Sequence, residues 1–189
     1  LWLYVTRSNN SPHNIASYFV EATQEFGGCP EKLVTDLGTE NGIAASTQCF
    51  FRDDLNAHKY VPSTRNQRIE GWWSHLRRSR TTWWINFFKR LEEEGRFNKS
   101  NVVECECLWF CFASLLQADL DQMKEYWNTH PIRKSRHDTV SGRPDLLYHA
   151  PESKGGTGGL ILPVPNEKIE YVKSHLIAPS ETNEYQEDF

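Results

Sequence analysis

Two stretches of this sequence decide the fold that we expect: Asp36-Leu37-Gly38-Thr39-Glu40-Asn41-Gly42 and Ser63-Thr64-Arg65-Asn66-Gln67-Arg68-Ile69-Glu70. The first follows a short run of β-formers, which predicts a strand that ends at Asp36. The second predicts the start of a helix that carries Glu70 among arginines in its first turn. A carboxylate at a strand end and a carboxylate on a helix can share a divalent cation, because Mg²⁺ prefers oxygen ligands.

The elements around Asp36 alternate between strand and helix. The pattern predicts strands over residues 1–6, 32–36 and 58–61, a helix from Pro12 to about Phe26, and a helix from Thr39 or Asn41 to about Phe51. This order predicts an α/β layer, in which ligands bind at the carboxyl ends of parallel strands. Asp36 is predicted to lie at one such end.

The rest of the chain predicts mainly helices and a tail. Apolar residues at three- and four-residue steps predict long helices over residues 66–94 and 102–127. Residues 151–189 contain a glycine run at 155–159, seven acids and three lysines. We therefore predict one domain over residues 1–150, followed by a glycine-rich linker and an acidic tail over residues 151–189.

Composition excludes several classes of protein. The 189 residues are 38% hydrophobic and 13% aromatic, which supports a packed core. The formal net charge of −4 gives no overall signature of nucleic-acid binding. No apolar run is long enough for a transmembrane helix, so we expect no membrane partner. Five cysteines, an odd number, argue against a disulfide framework and indicate an intracellular protein.

Positive charge is concentrated between residues 63 and 90. This segment holds seven arginine or lysine residues and a single acid, Glu70. Since arginine and lysine make most phosphate contacts in nucleic-acid complexes, Arg65, Arg68 and Arg77 are predicted to bind DNA. The alternative is a solvated helix face, on which the acids at 92–94 pair with nearby bases.

The two opening stretches resemble motifs of the integrase core of retroviruses and transposons. The Asp36 stretch resembles the family's second-aspartate motif, and the Glu70 stretch resembles its glutamate helix. The resemblance is greatest to transposon-derived eukaryotic integrase cores, in which the arginine-rich stretch leads into Trp72-Trp73. Residues 126–133 and 141–144 resemble the segment that closes such domains, so the resemblance covers about residues 1–150.

The resemblance implies an α/β, RNase H-like fold: a mixed sheet with flanking helices, here followed by the helical and tail segments. It also implies a carboxylate triad that uses Mg²⁺ or Mn²⁺ in a two-metal mechanism. Asp36 and Glu70 match two members of the triad. The matching DNA contacts are Arg65, Asn66, Arg68 and Arg77. The family's first aspartate would precede Leu1, so we expect the chain to be N-terminally truncated, to lack its first strand or strands, and to be inactive alone.

The function that follows from the resemblance is DNA integration by the complete protein, through 3′-end processing and strand transfer. Its expected partners are DNA and further copies of the chain, and its expected location is the nucleus. A domesticated derivative that binds nucleic acid or protein without catalysis is the alternative. A generic RNase H-like nuclease, which cleaves without joining, is a third hypothesis.

Simpler explanations exist for several of these residues. Asp36 can be a turn former, and Glu70 can simply complement the helix dipole. Cys105, Cys107 and Cys111 do not converge as four zinc ligands would, so buried thiols are the favoured interpretation.

Overall fold

The computed structural model describes residues 3–8, 10–62, 67–134 and 140–176, except for the side chains of residues 67, 68 and 70. The chain divides into two compact units. The first unit comprises residues 1–5 and 67–158, and the second unit comprises residues 6–66 and 159–189.

The second unit is a mixed α/β structure. Its helices are α1 (Pro12–Glu25), α2 (Gly42–Arg52) and α7 (Asn166–His175), and its strands are β1 (Cys29–Pro30), β2 (Leu33–Thr35), β3 (His58–Tyr60) and β4 (Ile161–Leu162). Two short 3₁₀ turns, Thr39–Asn41 and Leu55–Ala57, precede α2 and β3.

Helix α1 has the boundaries that the sequence predicts. The Ser11 hydroxyl accepts a hydrogen bond from the Asn14 amide, and Pro12 occupies the first turn, where its missing N–H is not needed. The helix ends before Gly27, whose φ of 71° is a left-handed conformation that glycine adopts without steric cost. The predicted helix and its glycine stop are therefore confirmed.

The strands of the second unit form two small sheets. Strand β2 pairs in parallel with β3, with Leu33 opposite His58 and Thr35 opposite Tyr60. Strand β1 pairs antiparallel with β4, which lies more than a hundred residues later in the chain. The predicted strands around residues 33 and 58 are confirmed, but β2 is only partly buried because Val34 is exposed.

The core of the second unit depends on residues from its C-terminal segment. It consists of Ala16, Val20, Cys29, Ala44, Phe51, Ile169, Val172 and Leu176. Three of these eight residues come from α7 or the position just after it. The range 151–189 was predicted as a linker and tail, but β4 and α7 lie within it and close this core. The linker prediction missed α7 because only three apolar residues mark its inner face.

The first unit is mainly helical. It contains α3 (Gln67–Leu76), α4 (Thr82–Glu93), α5 (Val102–Thr129) and α6 (Pro144–His149), with a π-helical turn at Arg77–Thr81 between α3 and α4. Its core is formed by Leu3, Trp72, Leu76 and Met123, against which Leu120 and Trp127 pack. The helix predicted over residues 66–94 is thus confirmed for residues 67–93, apart from the π-helical turn, and residue 66 lies outside the described part of the chain. Helix α5 extends the predicted 102–127 helix by two residues.

The predicted N-terminal strand is wrong within the described residues. Residues 3–6 are not paired with any strand there. The Gln117 side chain on α5 instead takes the place of a neighbouring strand: its Nε2 donates to the Leu3 carbonyl at 3.1 Å, and its Oε1 accepts from the Val5 amide at 2.9 Å. One amide side chain therefore hydrogen-bonds two backbone groups that a neighbouring β-strand would otherwise pair with.

The architecture is a mixture of helices and small sheets that is compatible with an integrase core. The described residues show two two-stranded sheets instead of the single mixed sheet that the sequence predicts. Among the same residues, no helix is both long enough and apolar enough to cross a membrane.

Candidate metal and nucleic-acid site

Asp36 lies immediately after β2, at the strand end where the sequence places it. It begins a loop, residues 36–41, that we call the Asp36 loop. The half-buried carboxylate accepts two hydrogen bonds on Oδ1, from the Asn41 Nδ2 at 2.8 Å and from the Gly38 amide at 3.3 Å. These donors fix the orientation of the carboxylate, and they leave Oδ2 outside both contacts.

The Asp36 loop explains why α2 begins where it does. Asn41, one of the two residues predicted to start this helix, occupies the N-cap position of α2, but its side chain makes no capping hydrogen bond. Its amide points to Asp36 instead. The Glu40 side chain folds against Gly38, where a Cβ atom would meet its carboxylate. A second acid therefore lies in the same loop as Asp36.

Strand β3 brings a histidine beside the residue that precedes Asp36. The His58 Nε2 lies 2.9 Å from the Thr35 Oγ1, and the Val61 amide donates to the Thr35 carbonyl at 2.9 Å. Burial lowers the pKa of His58 below its ordinary value, because removal from water disfavours the charged imidazolium.

Acidification is expected to lower the free energy of unfolding of the second unit through His58. Below a pH of about 6.5 the unfolded chain binds a proton that the folded chain, with its lowered pKa, resists. The contribution of His58 to the free energy of unfolding is therefore complete above a pH of about 6.5, and it is lost as the pH falls through the lowered pKa of the folded state. Urea unfolding of the wild type and of His58→Gln across this range measures the effect. The exposed His149→Gln variant is the control, and equal slopes for wild type and His58→Gln would contradict the prediction.

Glu70 lies in the first turn of α3, as predicted. Its side chain and that of Arg68 are not among those described, and Arg65 and Asn66 lie outside the described residues. Asp36 belongs to the second unit and Glu70 to the first. Their convergence on one cation therefore stays a prediction.

The π-helical turn organises the basic segment. Arg77 and Arg78 are exposed on it, whereas the Arg80 Nη1 donates to the Asp119 Oδ1 at 2.8 Å. The other oxygen of Asp119 accepts a hydrogen bond from the Trp84 indole at 3.0 Å. Arg80 is thus held by α5. Arg90 pairs with Glu94 at 3.9 Å, so the alternative interpretation, pairing with the acids at 92–94, is confirmed for this residue.

Asp119 is a structural residue that is not among the residues predicted from the sequence. The sequence does contain a feature that marks Asp119: it is an acid on the apolar side of α5, one helical turn from Leu116 and from Met123. An acid at such a position is uncommon unless it has a partner.

Replacing Asp119 with alanine is expected to lower the free energy of unfolding of the first unit by about 1–3 kcal/mol, because the Trp84 indole N–H would lose its acceptor in a half-buried position. Urea unfolding followed by tryptophan fluorescence measures the loss. The exposed Glu125→Ala variant on the same helix is the control and should change the value by less than about 0.5 kcal/mol. A similar effect of both substitutions would show that the two hydrogen bonds contribute little.

The cysteines of α5 do not match the buried-thiol prediction. Cys105 is half-buried, but Cys107 and Cys111 are exposed on the helix surface, so the prediction is wrong for these two. All five cysteines are free, in agreement with the absence of a disulfide framework.

The described residues contain no cluster of three metal-ligating side chains. Asp36 nevertheless fits one ligand position, because it offers a carboxylate oxygen of fixed orientation at a strand end, and such oxygens suit Mg²⁺ and Mn²⁺. The structure thus describes one of the two predicted ligands in full and the backbone position of the other.

These features define a mixed α/β protein with an acidic loop at a parallel strand end and a basic helix. The model of the family described as Integrase core domain matches residues 1–150, and the chain belongs to this family. The predicted resemblance to the integrase superfamily is therefore confirmed. The family supports a function of the integrase or transposase type; its members bind DNA and generally use divalent metals. No significant match exists among curated proteins or solved structures.

Proposed function

We propose that this chain is the catalytic core of a transposon-derived integrase, which processes DNA 3′ ends and joins them to target DNA. The observation that carries this proposal is Asp36, an oriented carboxylate at the end of a parallel strand in a chain whose residues 1–150 match the integrase core. Water first cleaves a phosphodiester near the 3′ end. The 3′-hydroxyl then attacks a target phosphorus, and the target's own 3′ oxygen leaves as the new bond forms.

Asp36 and Glu70 are the proposed metal ligands and catalytic residues. When Mg²⁺ or Mn²⁺ is bound, the metal supplies activation of the attacking oxygen and stabilisation of the leaving oxygen. The Gly38 amide and the Asn41 side chain keep the Asp36 carboxylate in one orientation. Two carboxylates that share a cation repel each other without it, so the proposed pair would bind a cation more strongly than either residue alone.

The basic helix is the proposed DNA contact. Arg65, Asn66, Arg68 and Arg77 would bind phosphates along the strand that reacts, and Arg77 is exposed as such a contact requires. The salt dependence of binding should fall with each arginine removed, because each phosphate contact releases condensed counterions.

An assay that separates cleavage from joining tests the proposed function. We assign no counterpart of the family's third carboxylate within residues 1–189, so the assay uses the complete protein. It is mixed with a labelled donor duplex and a target plasmid in Mg²⁺ or Mn²⁺, and both shortened and joined products are measured. Joined products that disappear with a chelator support the proposal. Cleavage without joining would indicate a nuclease, and neither product would contradict catalysis.

The second candidate is a domesticated derivative that binds nucleic acid or protein without catalysis. The observation that favours it is that Asp36 closes a turn within its own loop, which is a structural use of the side chain. Duplex binding without any shortened or joined product would support this candidate. The catalytic candidate and a DNA-binding derivative would both act on chromosomal DNA, and a fluorescent fusion in cells would test the proposed nuclear location.

A further inference from the structure

Two consecutive tryptophans of α4 lie on different sides of the helix. Trp84 is half-buried against α5: its indole donates to Asp119, and its ring lies 6.3 Å from that of Phe112. Trp83 is 62% exposed. The difference follows from the 100° between successive helical residues, so anchoring of Trp84 fixes the outward position of Trp83.

Phe87 supports the exposed indole from one side. The rings of Trp83 and Phe87 are stacked, with centroids 5.4 Å apart and planes only 5° from parallel. Phe87 also contacts Phe112 at 5.5 Å, so its own ring is held by α5. Trp83 is therefore a supported aromatic surface with most of its area exposed, and ordering it on a ligand would cost little conformational entropy.

Arginines flank this surface along the helix. Arg78 is exposed and precedes Trp83 by five residues. This spacing corresponds to one turn here, because the intervening turn is π-helical. Arg90 follows Trp83 by seven residues and so lies on the same side of α4. It pairs with Glu94 at 3.9 Å, but 66% of its side chain is exposed, and such surface pairs are weak enough for a phosphate to displace. We call Arg78, Trp83, Phe87 and Arg90 the Trp83 platform. Between residues 77 and 90 the sequence has five cations and no acid.

We propose that the Trp83 platform stacks an unpaired DNA base while its arginines bind the neighbouring phosphates. Aromatic surfaces within basic segments bind single strands in this way, since every base has a face that can stack. The positive charge around Trp83 favours a nucleic acid over a protein partner. Phe110 on α5 is also exposed, at 86%, but its helix carries acids at both ends, so it has no such positive surroundings on that helix. The inference rests on the proposed function, because removal of nucleotides from a 3′ end leaves unpaired bases on the complementary strand.

Comparison of two labelled duplexes tests this inference with the full chain. One duplex is blunt, and the other has the same paired length with a short 5′ overhang; fluorescence anisotropy gives both dissociation constants at one salt concentration. The wild type should prefer the overhang. Trp83→Ala should weaken overhang binding about tenfold and blunt binding less than about twofold, since stacking contributes on the order of 1–3 kcal/mol per base.

Two further variants distinguish stacking from structural damage. Trp83→Phe keeps an aromatic face and should retain most of the overhang preference, whereas Phe110→Ala removes an exposed ring elsewhere and should change neither constant. Circular dichroism and sedimentation of each variant accompany the binding data. Equal binding of the two duplexes by the wild type would overturn the platform but leave DNA binding intact. Binding of neither duplex would overturn the platform and the proposed function together. A change in sedimentation without loss of the preference would assign Trp83 to a protein contact and overturn the platform.

Discussion

Replacement of Asp36 with asparagine is expected to lower DNA joining by the complete protein at least about 100-fold while leaving the fold unchanged. Changes to residues that only support metal ligands cost about 10–100-fold, so loss of a ligand's charge should cost no less. Asparagine keeps an Oδ1 that can accept from the Gly38 amide and the Asn41 side chain. The loop should therefore retain its conformation. Single-turnover rates of shortened and joined products in Mg²⁺ measure the effect.

Glu40→Gln is the matched control for this substitution. Glu40 belongs to the same loop, but it is not a proposed ligand, and its side chain folds against Gly38. We expect this variant to lower the rate by less than about threefold, because the half-buried Glu40 carboxylate is not a ligand and would act on the site only through electrostatics that solvent and salt partly screen. Glu70→Gln should reproduce the loss seen with Asp36→Asn. Retention of joining by either ligand variant would contradict the assignment, and an equal loss in Glu40→Gln would indicate an effect of loop charge.

Phe51→Ala is expected to lower the free energy of unfolding of the second unit by about 3–5 kcal/mol. Large-to-small substitutions of buried aromatic residues remove transfer free energy and leave a cavity. Phe51 is only 3% exposed and stacks on Phe19 with ring centroids 6.3 Å apart. A loss of this size is a large fraction of the stability of a small domain. Hydrogen exchange of amides in α1, measured by mass spectrometry, reports this unit separately from the first.

The neighbouring Phe50 provides a control of the same size. It is 40% exposed and contacts Tyr171 and Lys168 at the surface. Phe50→Ala should therefore lower the free energy of unfolding by about 1 kcal/mol. This is the size expected for the loss of an exposed cation–π contact together with a small loss of buried area. If the two substitutions had equal effects, the core described around Phe51 would not determine the stability of this unit.

Local signals allowed much of the secondary structure to be predicted. Helix α1 carries its start signal in Ser11 and Pro12 and its stop signal in Gly27, and each acts within one turn of the helix. Strand β2 is a run of β-formers, and the short strand β3 ends in Tyr60 and is followed by Val61, two strand-compatible residues just before Pro62. Asp36 could be placed because the end of a strand and an Asp-x-Gly turn are both features of local sequence.

Non-local contacts could not be predicted in the same way. Leu3 and Val5 have strand-forming neighbours, but their backbone groups bind the side chain of Gln117, which lies more than a hundred residues later. Helix α7 has many charges and only Ile169, Val172 and Leu176 as its inner face. Its burial depends on α1 and α2, whose positions are not encoded within residues 166–176.

The apolar stripe predicted for the basic helix shows the same limit. Trp72 and Leu76 are buried as the periodicity indicates, but Trp73 and Trp83 are largely exposed. The π-helical turn shifts the register between α3 and α4, so one continuous 3.6-residue stripe does not describe both helices. Asp119 then decides which side of α4 faces α5, and that choice involves residues 35 positions apart.

The interrupted second unit has a consequence for biosynthesis. Its first segment ends at residue 66 and its last begins at residue 159, so α1 and α2 leave the ribosome long before α7. At about 5–20 residues per second, roughly 5–20 seconds separate the two segments. During that interval the apolar side chains of α1 and α2 would remain exposed, because Ile169 and Val172, which cover them in the folded unit, have not yet been synthesised. The newly made chain is therefore expected to be a chaperone client, and a stop codon near residue 150 would produce a protein that cannot complete this core.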